Sequence, residues 1–251
     1  MDPTTWSEVV AVQHAVRAAF GWSYEDDAAS AEELKAACDN DRIVEEWHLE
    51  GRQSTLQRLK QELLAAKHVV LVGAAAEPTE VQMAMQEGSV VVAADGSVGA
   101  CLPETIPLCV VTDLDGGVHL DQAAAQGIAM VVHAHGDNAN RWKTVLDNWR
   151  VTSPPPLVLT HQTDANLEGM LNPGGFTDGD RALCFVAWLG VPLERIIMVG
   201  YDSTRLGRWS GITQPERKLE KLTWMDVVVE KVMGALNPTN PSPPSPEHRH
   251  K

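Results

Sequence analysis

The most informative stretch of this chain is Val110-Val111-Thr112-Asp113-Leu114-Asp115-Gly116-Gly117. An apolar run delivers two carboxylates, one residue apart, into a glycine turn, which is typical of the end of a buried strand. Two carboxylates held close together there repel each other by about 4 kcal/mol at an effective dielectric of about 20. A divalent cation is the usual reason for such a pair, and Mg²⁺ prefers oxygen ligands. The segment therefore predicts a metal site at a strand end.

Short apolar runs on either side of this segment predict further strands. They lie at 68–72, 89–93, 108–111, 128–132, 157–159 and 196–199. Helical patterns separate most of them, and fully apolar strands that alternate with helices are typical of a mainly parallel sheet covered on both faces. The sequence therefore predicts an α/β domain over residues 67–236, with a mainly parallel sheet sandwiched by helices.

Polar clusters follow nearly every predicted strand. They comprise Gly73, Asp95 with Gly96, Asp113 with Asp115, the segment 133–138, Thr160 with Gln162, and Gly200 with Asp202. In parallel sheets ligands bind beyond the carboxyl ends of the strands. Scattered surface acids would not fall at so many strand ends. The clusters therefore predict one site along this edge, in a metal-dependent enzyme that acts on phosphates.

The two ends of the chain have other patterns. Residues 1–66 predict a small helical region with a packing role, since their apolar residues recur at helical spacing. Residues 237–251 are rich in proline and predict a disordered tail.

The composition narrows the function and the partners. The formal net charge of −14 argues against nonspecific nucleic-acid binding, which needs a basic face. The chain has no signal-peptide pattern and no apolar run of about 20 residues that could span a membrane. The four cysteines show no C-x-x-C spacing, which favours buried free thiols in a reducing compartment. We therefore expect a cytoplasmic protein with small-molecule substrates, and a homodimer is compatible with the sequence.

The segment His133-Ala134-His135-Gly136-Asp137-Asn138 follows a predicted strand. Alternation along an extended chain places His133 and His135 on one side. With Asp137 they could form a zinc set. The neighbouring carboxylates favour Mg²⁺, with Asp137 as a third carboxylate and the histidines as hydrogen-bonding groups. Asn138 could equally cap the following helix.

The segment from Asn172 to Ala182 is a glycine-rich loop that enters a helix. Thr177 or Asp178 can cap that helix, but capping does not account for Asn172, Phe176 and the second acid, Asp180, together. An aromatic platform with an amide and a carboxylate suits a flat, nitrogen-rich heterocycle.

A D-x-D-G motif after a strand also occurs in the haloacid-dehalogenase class, in which Asp113 would be a nucleophile. The later acidic pair of that class follows an apolar run, whereas Asp178 and Asp180 follow glycines, which counts against this alternative. Gly73 could present backbone N–H groups to phosphate at a helix start, although an ordinary turn fits equally well. Basic residues that could neutralise a triphosphate are Arg141, Lys143, Arg205, Arg208, Lys218 and Lys221.

In this order, the clusters resemble the archaeal 6-hydroxymethyl-7,8-dihydropterin diphosphokinase family. The matching segments are 93–96, 112–116, 131–138, 160–162 and 174–182. The resemblance implies a thiamine pyrophosphokinase-like core preceded by a small helical domain. It also implies Mg²⁺-dependent transfer of diphosphate from ATP to the pterin hydroxymethyl group, with release of AMP, in tetrahydrofolate- or methanopterin-type cofactor synthesis. An enzyme for thiamine or another hydroxymethyl heterocycle, and a non-catalytic nucleotide-binding relative, remain alternatives.

The resemblance and the residue patterns together assign roles to individual residues. The expected metal ligands are Asp113, Asp115 and Asp137, and the expected catalytic residues are His135, Asp137, Asp178 and Asp180. The expected contacts to nucleotide or pterin are Gly73, Asp95, Gly96, His133, Asn138, Thr160, Gln162, Asn172, Phe176 and Thr177. Two segments depart from the family pattern: the first glycine loop, 73–78, has one glycine, and Gly200-Tyr201-Asp202-Ser203 stands where the family often has Gly-Met-Asp-Phe.

Overall fold

A computed structural model describes residues 1–211 and 214–234, so the predicted tail at 237–251 lies outside the described residues. Its strands form one sheet in which every neighbouring pair is parallel. They are β1 (His68–Val72), β2 (Ser89–Ala94), β3 (Cys109–Thr112), β4 (Ala129–Ala134), β5 (Leu157–His161), β6 (Met170–Leu171) and β7 (Ile196–Val199), in the spatial order β6-β5-β4-β3-β2-β1-β7. The predicted α/β class is confirmed, and the short edge strand β6 is an addition to it.

Helices precede the sheet and connect its strands. They are α1 (Pro3–Phe20), α2 (Tyr24–Asp39), α3 (Leu49–Ala65), α4 (Pro78–Ala84), α5 (Val98–Cys101), α6 (Val118–Ala125), α7 (Ala139–Thr152), α8 (Asp178–Trp188) and α9 (Pro215–Met233). Within the described part of the chain, none of these helices has both the length and the apolar character that a membrane span requires.

Alternate residues of the strands enter two separate cores, one on each face of the sheet. Val70 and Val72 belong to the first core, which helices α2, α4, α5, α6 and α7 cover. Val69 and Leu71 belong to the second core, which α1, α3, α8 and α9 cover. Burying a Val or Leu side chain contributes about 1.5–3 kcal/mol, so both faces of the sheet must be covered. This explains why the strands are apolar throughout rather than alternating.

The helices before the sheet share both of these cores. Asp2 caps α1, with Pro3 at its first position, and Ser23 caps α2. Helices α1 and α3 pack on one face of the sheet and α2 packs on the other. Trp47 is fully buried, and its indole N–H donates to the carbonyl of Pro155 at 2.8 Å. The helices predicted before the sheet are therefore present, and they complete its two cores.

The carboxyl ends of the strands all lie at one edge of the sheet. β1 lies between β2 and β7, so the strand order reverses beside β1. In open α/β sheets, the crevice at such a reversal is the usual place for a ligand. The fold thus brings the polar clusters after β1, β2, β3, β4, β5 and β7 to a single edge.

Candidate active site

Three carboxylates meet at this edge. One oxygen each of Asp95, Asp113 and Asp178 lies within 4.8 Å of the others. Asp95 follows β2, Asp113 follows β3, and Asp178 is the first residue of α8. Asp113 Oδ1 and Asp178 Oδ1 are buried and have no hydrogen-bond partner. Buried oxygens without partners are costly, and three clustered carboxylates are a ligand set that suits Mg²⁺.

The pKa shifts of these three carboxylates also support a cation site. Burial, followed by the charges of Asp178, Asp115 and Asp113, raises the pKa of Asp95 well above its usual value. Burial and the charge of Asp113 raise the pKa of Asp178 to about 8. Burial also acts to raise the pKa of Asp113, but the hydrogen bond from His135 and nearby positive charges bring it below its usual value. The three groups would not all be ionised at neutral pH without a cation between them.

The chain separates Asp113 from Asp115. Leu114 lies between them with φ of 73°, in the left-handed region that only few non-glycine residues adopt. Asp113 lines one cavity and Asp115 lines another. Asp137 is exposed and lines a cleft beside Asp27 and His135. Neither Asp115 nor Asp137 belongs to the group of close carboxylates, so their assignment as metal ligands stays a prediction.

The first cavity, here called the glycine cavity, lies at this edge beside the acidic cluster. It is lined by Gly73, Ala74, Ala75, Asp95, Asp115, Gly200, Tyr201, Asp202, Arg205, Gly207 and Trp209, among others. Its walls are backbone in close contact: a Cβ at Gly73 would lie 2.7 Å from the carbonyl oxygen of Gly200. Gly96 packs equally closely, with its Cβ position 2.7 Å from the carbonyl oxygen of Trp209. The glycine expected at residue 73 therefore does shape a cavity.

The second cavity, here called the aromatic cavity, lies on the other side of Asp178. It is lined by Trp22, Asp113, His135, Gln162, Phe176, Thr177, Asp178, Arg181, Lys218 and Lys221. The rings of Trp22 and Phe176 lie 5.9 Å apart, and Lys221 Nζ lies 5.1 Å from the Trp22 ring. Phe176 is thus part of an aromatic wall, as the loop pattern predicts.

The two cavities meet at the acidic cluster. Thr177, Asp178 and Lys218 line both of them. A group bound in the glycine cavity and a group bound in the aromatic cavity would therefore face each other across Asp178.

A buried polar wall backs the aromatic cavity. Gln162 Oε1 accepts from Arg181 Nη2 at 2.8 Å and lies 3.3 Å from His133 Nε2. His133 Nδ1 lies 3.0 Å from the hydroxyl of Thr160. Burial and the charge of Arg181 lower the pKa of His133 well below its usual value, so the ring is neutral. Because Gln162 Oε1 can only accept, we assign the proton of His133 to Nε2. His133 and Thr160 thus stand behind the cavity wall.

Asp27, in the helical region before the sheet, anchors this wall. Its carboxylate accepts from Gln162 Nε2 at 2.7 Å, from Arg17 at 3.1 Å and from the backbone N–H of Gly136 at 2.9 Å. The sequence pattern of residues 1–66 predicts only packing and assigns no role to Asp27 or Trp22. A buried acid in a helix is visible only once the fold is known, whereas the aromatic residue at the α1–α2 turn is a weak sequence signal.

His135 faces both the acidic cluster and the aromatic cavity. Its Nε2 lies 3.3 Å from Asp113 Oδ2. A carboxylate oxygen only accepts, so we assign a proton to His135 Nε2 in this contact. Asn138 holds this turn: its amide donates to the carbonyls of His133 and Asp113, and its oxygen accepts from the N–H of His135. Asn138 therefore supports the turn from within.

Two polar residues of the 172–182 loop hold the loop itself. The Asn172 amide donates to Gln13 Oε1 and to the carbonyl of Thr163, and its oxygen accepts from Gln13 Nε2. The Asp180 carboxylate accepts from the N–H groups of Phe176 and Thr177 and thereby caps α8. Direct contacts from Asn172 and Asp180 to a ligand stay predictions, since both side chains are engaged within the loop.

Several of the expected basic residues surround the cavities. Arg205 lines the glycine cavity and pairs with Asp202 at 2.7 Å. Arg141 Nη1 lies 3.6 Å from Asp113 Oδ1. Lys143 pairs instead with Glu33 at 2.7 Å. Positive charge is therefore available beside this acidic cluster.

Comparison with known proteins identifies the family. No protein-family model matches the chain. A 6-hydroxymethyl-7,8-dihydropterin pyrophosphokinase of Pyrococcus furiosus is 34% identical over 215 residues, which are 82% of this chain and 81% of the relative. Proteins of the same name are 39% identical over 125 residues in Methanothermobacter thermautotrophicus (47% of this chain, 49% of the relative) and 36% over 114 residues in Methanocaldococcus jannaschii (45% and 46%). The chain therefore belongs to the 6-hydroxymethyl-7,8-dihydropterin pyrophosphokinase family.

Proposed function

We propose that this protein transfers diphosphate from ATP to 6-hydroxymethyl-7,8-dihydropterin in a Mg²⁺-dependent reaction, giving AMP and the pterin diphosphate. The product would serve tetrahydrofolate- or methanopterin-type cofactor synthesis. The names of the relatives support the reaction class. The observation that carries the proposal is the meeting of the glycine and aromatic cavities at Asp178, beside the acidic cluster. A donor phosphate and an acceptor hydroxyl would come together there.

The glycine cavity suits the donor nucleotide. It lies where the strand order reverses, which is the usual position of nucleotide phosphates in such sheets. Gly73 and Gly200 allow the turns after β1 and β7 to pack backbone against backbone, and these turns line the cavity. Arg205 and Lys218 supply positive charge to a protein with a net charge of −14.

The aromatic cavity suits the acceptor. A dihydropterin is a flat ring with polar edges, and aromatic walls such as Trp22 and Phe176 stack on flat heterocycles. Gln162 and Arg181 offer polar groups beside these rings. A mostly apolar pocket with a few convergent polar groups is the common form of a small-molecule site.

Asp95, Asp113 and Asp178 would hold the metal, with Asp115 next to Asp95. This set differs from the expected Asp113, Asp115 and Asp137. It rests on the close approach of the three carboxylates and on the two unpartnered oxygens among them. With Mg²⁺ held by these residues, the site would have the Lewis acid that phosphoryl transfer needs to offset developing negative charge.

His135 would accept the proton of the acceptor hydroxyl. The hydroxymethyl oxygen forms a bond to the β-phosphorus of ATP while the bond from that phosphorus to the α–β bridging oxygen breaks. AMP leaves with the bridging oxygen, and the hydroxyl proton passes to His135 Nδ1. Asp113, hydrogen-bonded to Nε2, orients the ring and stabilises its charged form.

Incubation of the protein with ATP, Mg²⁺ and 6-hydroxymethyl-7,8-dihydropterin tests the proposal. We expect AMP and pterin diphosphate in equal amounts, separated by chromatography. A folded sample that forms neither product would contradict it. A parallel assay with thiamine in place of the pterin distinguishes the proposed activity from the related thiamine diphosphokinase reaction. Calorimetry with ATP identifies a protein that binds nucleotide without releasing AMP.

A further inference from the structure

Arg181 is a buried cation beside the aromatic cavity, and the reaction outlined above gives it no specific contact. Its side chain is 5% exposed, and it lines the aromatic cavity. One nitrogen, Nη2, donates to Gln162 Oε1 at 2.8 Å, whereas the buried Nε–H has no hydrogen-bond partner. Nη1 is 3.9 Å from Asp178 Oδ1, which is beyond hydrogen-bond distance. The guanidinium therefore keeps unused donors at this cavity.

These unused donors need an acceptor that a bound molecule brings. A buried donor of a charged group without a partner is expensive to maintain. The two unpartnered carboxylate oxygens nearby, on Asp113 and Asp178, can be satisfied by a cation, but an N–H of Arg181 cannot. The missing partner must therefore carry lone pairs on a face that enters the aromatic cavity.

The fixed position of the guanidinium limits what it can recognise. Gln162 accepts from Arg181 while its own amide donates to Asp27 Oδ2 at 2.7 Å, so the glutamine cannot turn over without losing both bonds. A guanidinium held in this way is a planar fork, and such forks match two acceptors on one edge of a flat ring. Arginine binds O6 and N7 of guanine in this manner.

We propose that Arg181 binds the O4/N5 edge of the dihydropterin and thereby selects the acceptor, an inference that rests on the proposed function. The 4-oxo oxygen and the imine nitrogen N5 of a 7,8-dihydropterin are neighbouring acceptors, arranged like O6 and N7 of guanine. The hydroxymethyl group is attached to C6, next to N5. A guanidinium on this edge therefore also fixes the position of the reacting hydroxyl.

A comparison of two acceptors in two enzymes tests this contact. The acceptors are 6-hydroxymethyl-7,8-dihydropterin and its 5-deaza analogue, in which a C–H group replaces N5. The wild-type enzyme should prefer the pterin in kcat/KM by about 10- to 100-fold, as expected for a hydrogen bond to a charged group. In Arg181→Met this preference should fall to within about threefold, because neither acceptor then has a partner at this position.

Three measurements keep the result interpretable. Arg195→Met, a substitution of a partly exposed arginine bonded to the Leu64 carbonyl, should retain the wild-type preference. Calorimetry with a non-hydrolysable ATP analogue and Mg²⁺ should give similar affinities for Arg181→Met and the wild type, which shows that the variant is folded. Arg181→Lys should recover only part of the preference, since an ammonium group is not a planar fork.

Two outcomes would overturn the inference. One is a wild-type enzyme that uses both acceptors equally well, and the other is a folded Arg181→Met enzyme that keeps the full preference for the pterin. The second outcome, together with a lowered kcat for both acceptors, would place the guanidinium on the transferred phosphate instead. A wild-type protein that forms no pterin diphosphate at all would contradict the proposed function itself, and this is a different result from either of these.

Discussion

The two cavities at the edge of the sheet are built in different ways. The glycine cavity is lined by the turns that follow β1, β2 and β7, whose shape depends on glycines such as Gly73 and Gly200, and by α9 residues such as Lys218. The aromatic cavity is formed by side chains from distant parts of the sequence, including Trp22, Gln162 and Lys221. A phosphate chain needs close N–H groups and charge, whereas a particular ring needs a shaped wall. The difference predicts that the two substrates can be affected separately by mutation.

The largest expected effect lies where the cavities meet. Asp178→Asn removes a charge from the acidic cluster and from the wall that both cavities share. We expect kcat to fall by about 1,000-fold at saturating ATP and pterin, as for the loss of one preorganised electrostatic group in an active site. Steady-state kinetics of AMP release measures this.

The exposed carboxylate of Asp226 provides the matched control, and Asp226→Asn should keep wild-type activity. Asp115→Asn should lower kcat less than Asp178→Asn, because Asp115 lies outside the group of close carboxylates. A larger loss of kcat in Asp115→Asn would instead support Asp115 as a metal ligand, as the D-x-D motif predicts.

The second effect concerns stability at acidic pH, and it arises from a residue next to the wall of the aromatic cavity. Burial lowers the pKa of His161, which directly precedes Gln162, from 6.5 to about 4. Between about pH 6.5 and pH 4 the folded ring stays neutral while the unfolded chain takes up a proton. The free energy of unfolding therefore falls as the pH drops through this window, by up to about 3 kcal/mol.

Urea denaturation at pH 6.5 and pH 4.5 measures this contribution in the wild type and in His161→Gln. The variant should lose less stability between the two pH values, whatever its stability at neutral pH. Equal losses in the two proteins would show that His161 is not held neutral in the fold.

The third effect is a selective loss of acceptor binding. Trp22→Ala removes one ring of the aromatic wall. The KM for the pterin should rise about tenfold, in line with the loss of one stacking contact to a heterocycle, while the KM for ATP stays within about twofold. Trp188→Ala, on a partly exposed tryptophan of α8, should change neither KM. An equal rise in both KM values for Trp22→Ala would show that the cavities are not independent.

The smallest expected effect is a selective rise in the KM for ATP after a substitution in the glycine cavity. Gly73→Ala places a Cβ 2.7 Å from the Gly200 carbonyl oxygen, so the turn after β1 must shift. The KM for ATP should rise about fivefold, equivalent to about 1 kcal/mol of overpacking, with the KM for the pterin unchanged. Gly234→Ala, at a helix end with nothing within 4 Å of the new Cβ, is the matched control. A rise in the pterin KM alone would assign the wrong substrate to the glycine cavity.

The strands could be predicted because each is a continuous apolar run bounded by polar residues. β1 and β7 have the predicted bounds of 68–72 and 196–199. β6 could not be predicted in this way because it has only two residues, Met170 and Leu171, which pair with β5 at the edge of the sheet. The edge that carries the site could also be predicted, since the polar clusters follow the strands.

The grouping of the carboxylates could not be predicted from spacing. Alternation in D-x-D would place Asp113 and Asp115 on the same side, but Leu114 has a positive φ and turns the chain between them. Asp95 also has a positive φ, of 48°, and its carboxylate accepts from the Thr112 hydroxyl and the Gly116 N–H after β3. A helix start then supplies the third acid, Asp178. Such backbone conformations depend on the packed loops and leave no local trace in the sequence.

Through the carboxylate of Asp27, the helices before the sheet have a role beyond packing. It joins the turn at Gly136 to the side chain of Gln162, and Trp22 enters the aromatic cavity from the same stretch of chain. Under the proposed function, this stretch would therefore contribute, together with Arg181 and Phe176, to the choice of the alcohol that receives the diphosphate. Exchange of the first 66 residues between relatives could thus redirect the same transfer chemistry to a new acceptor.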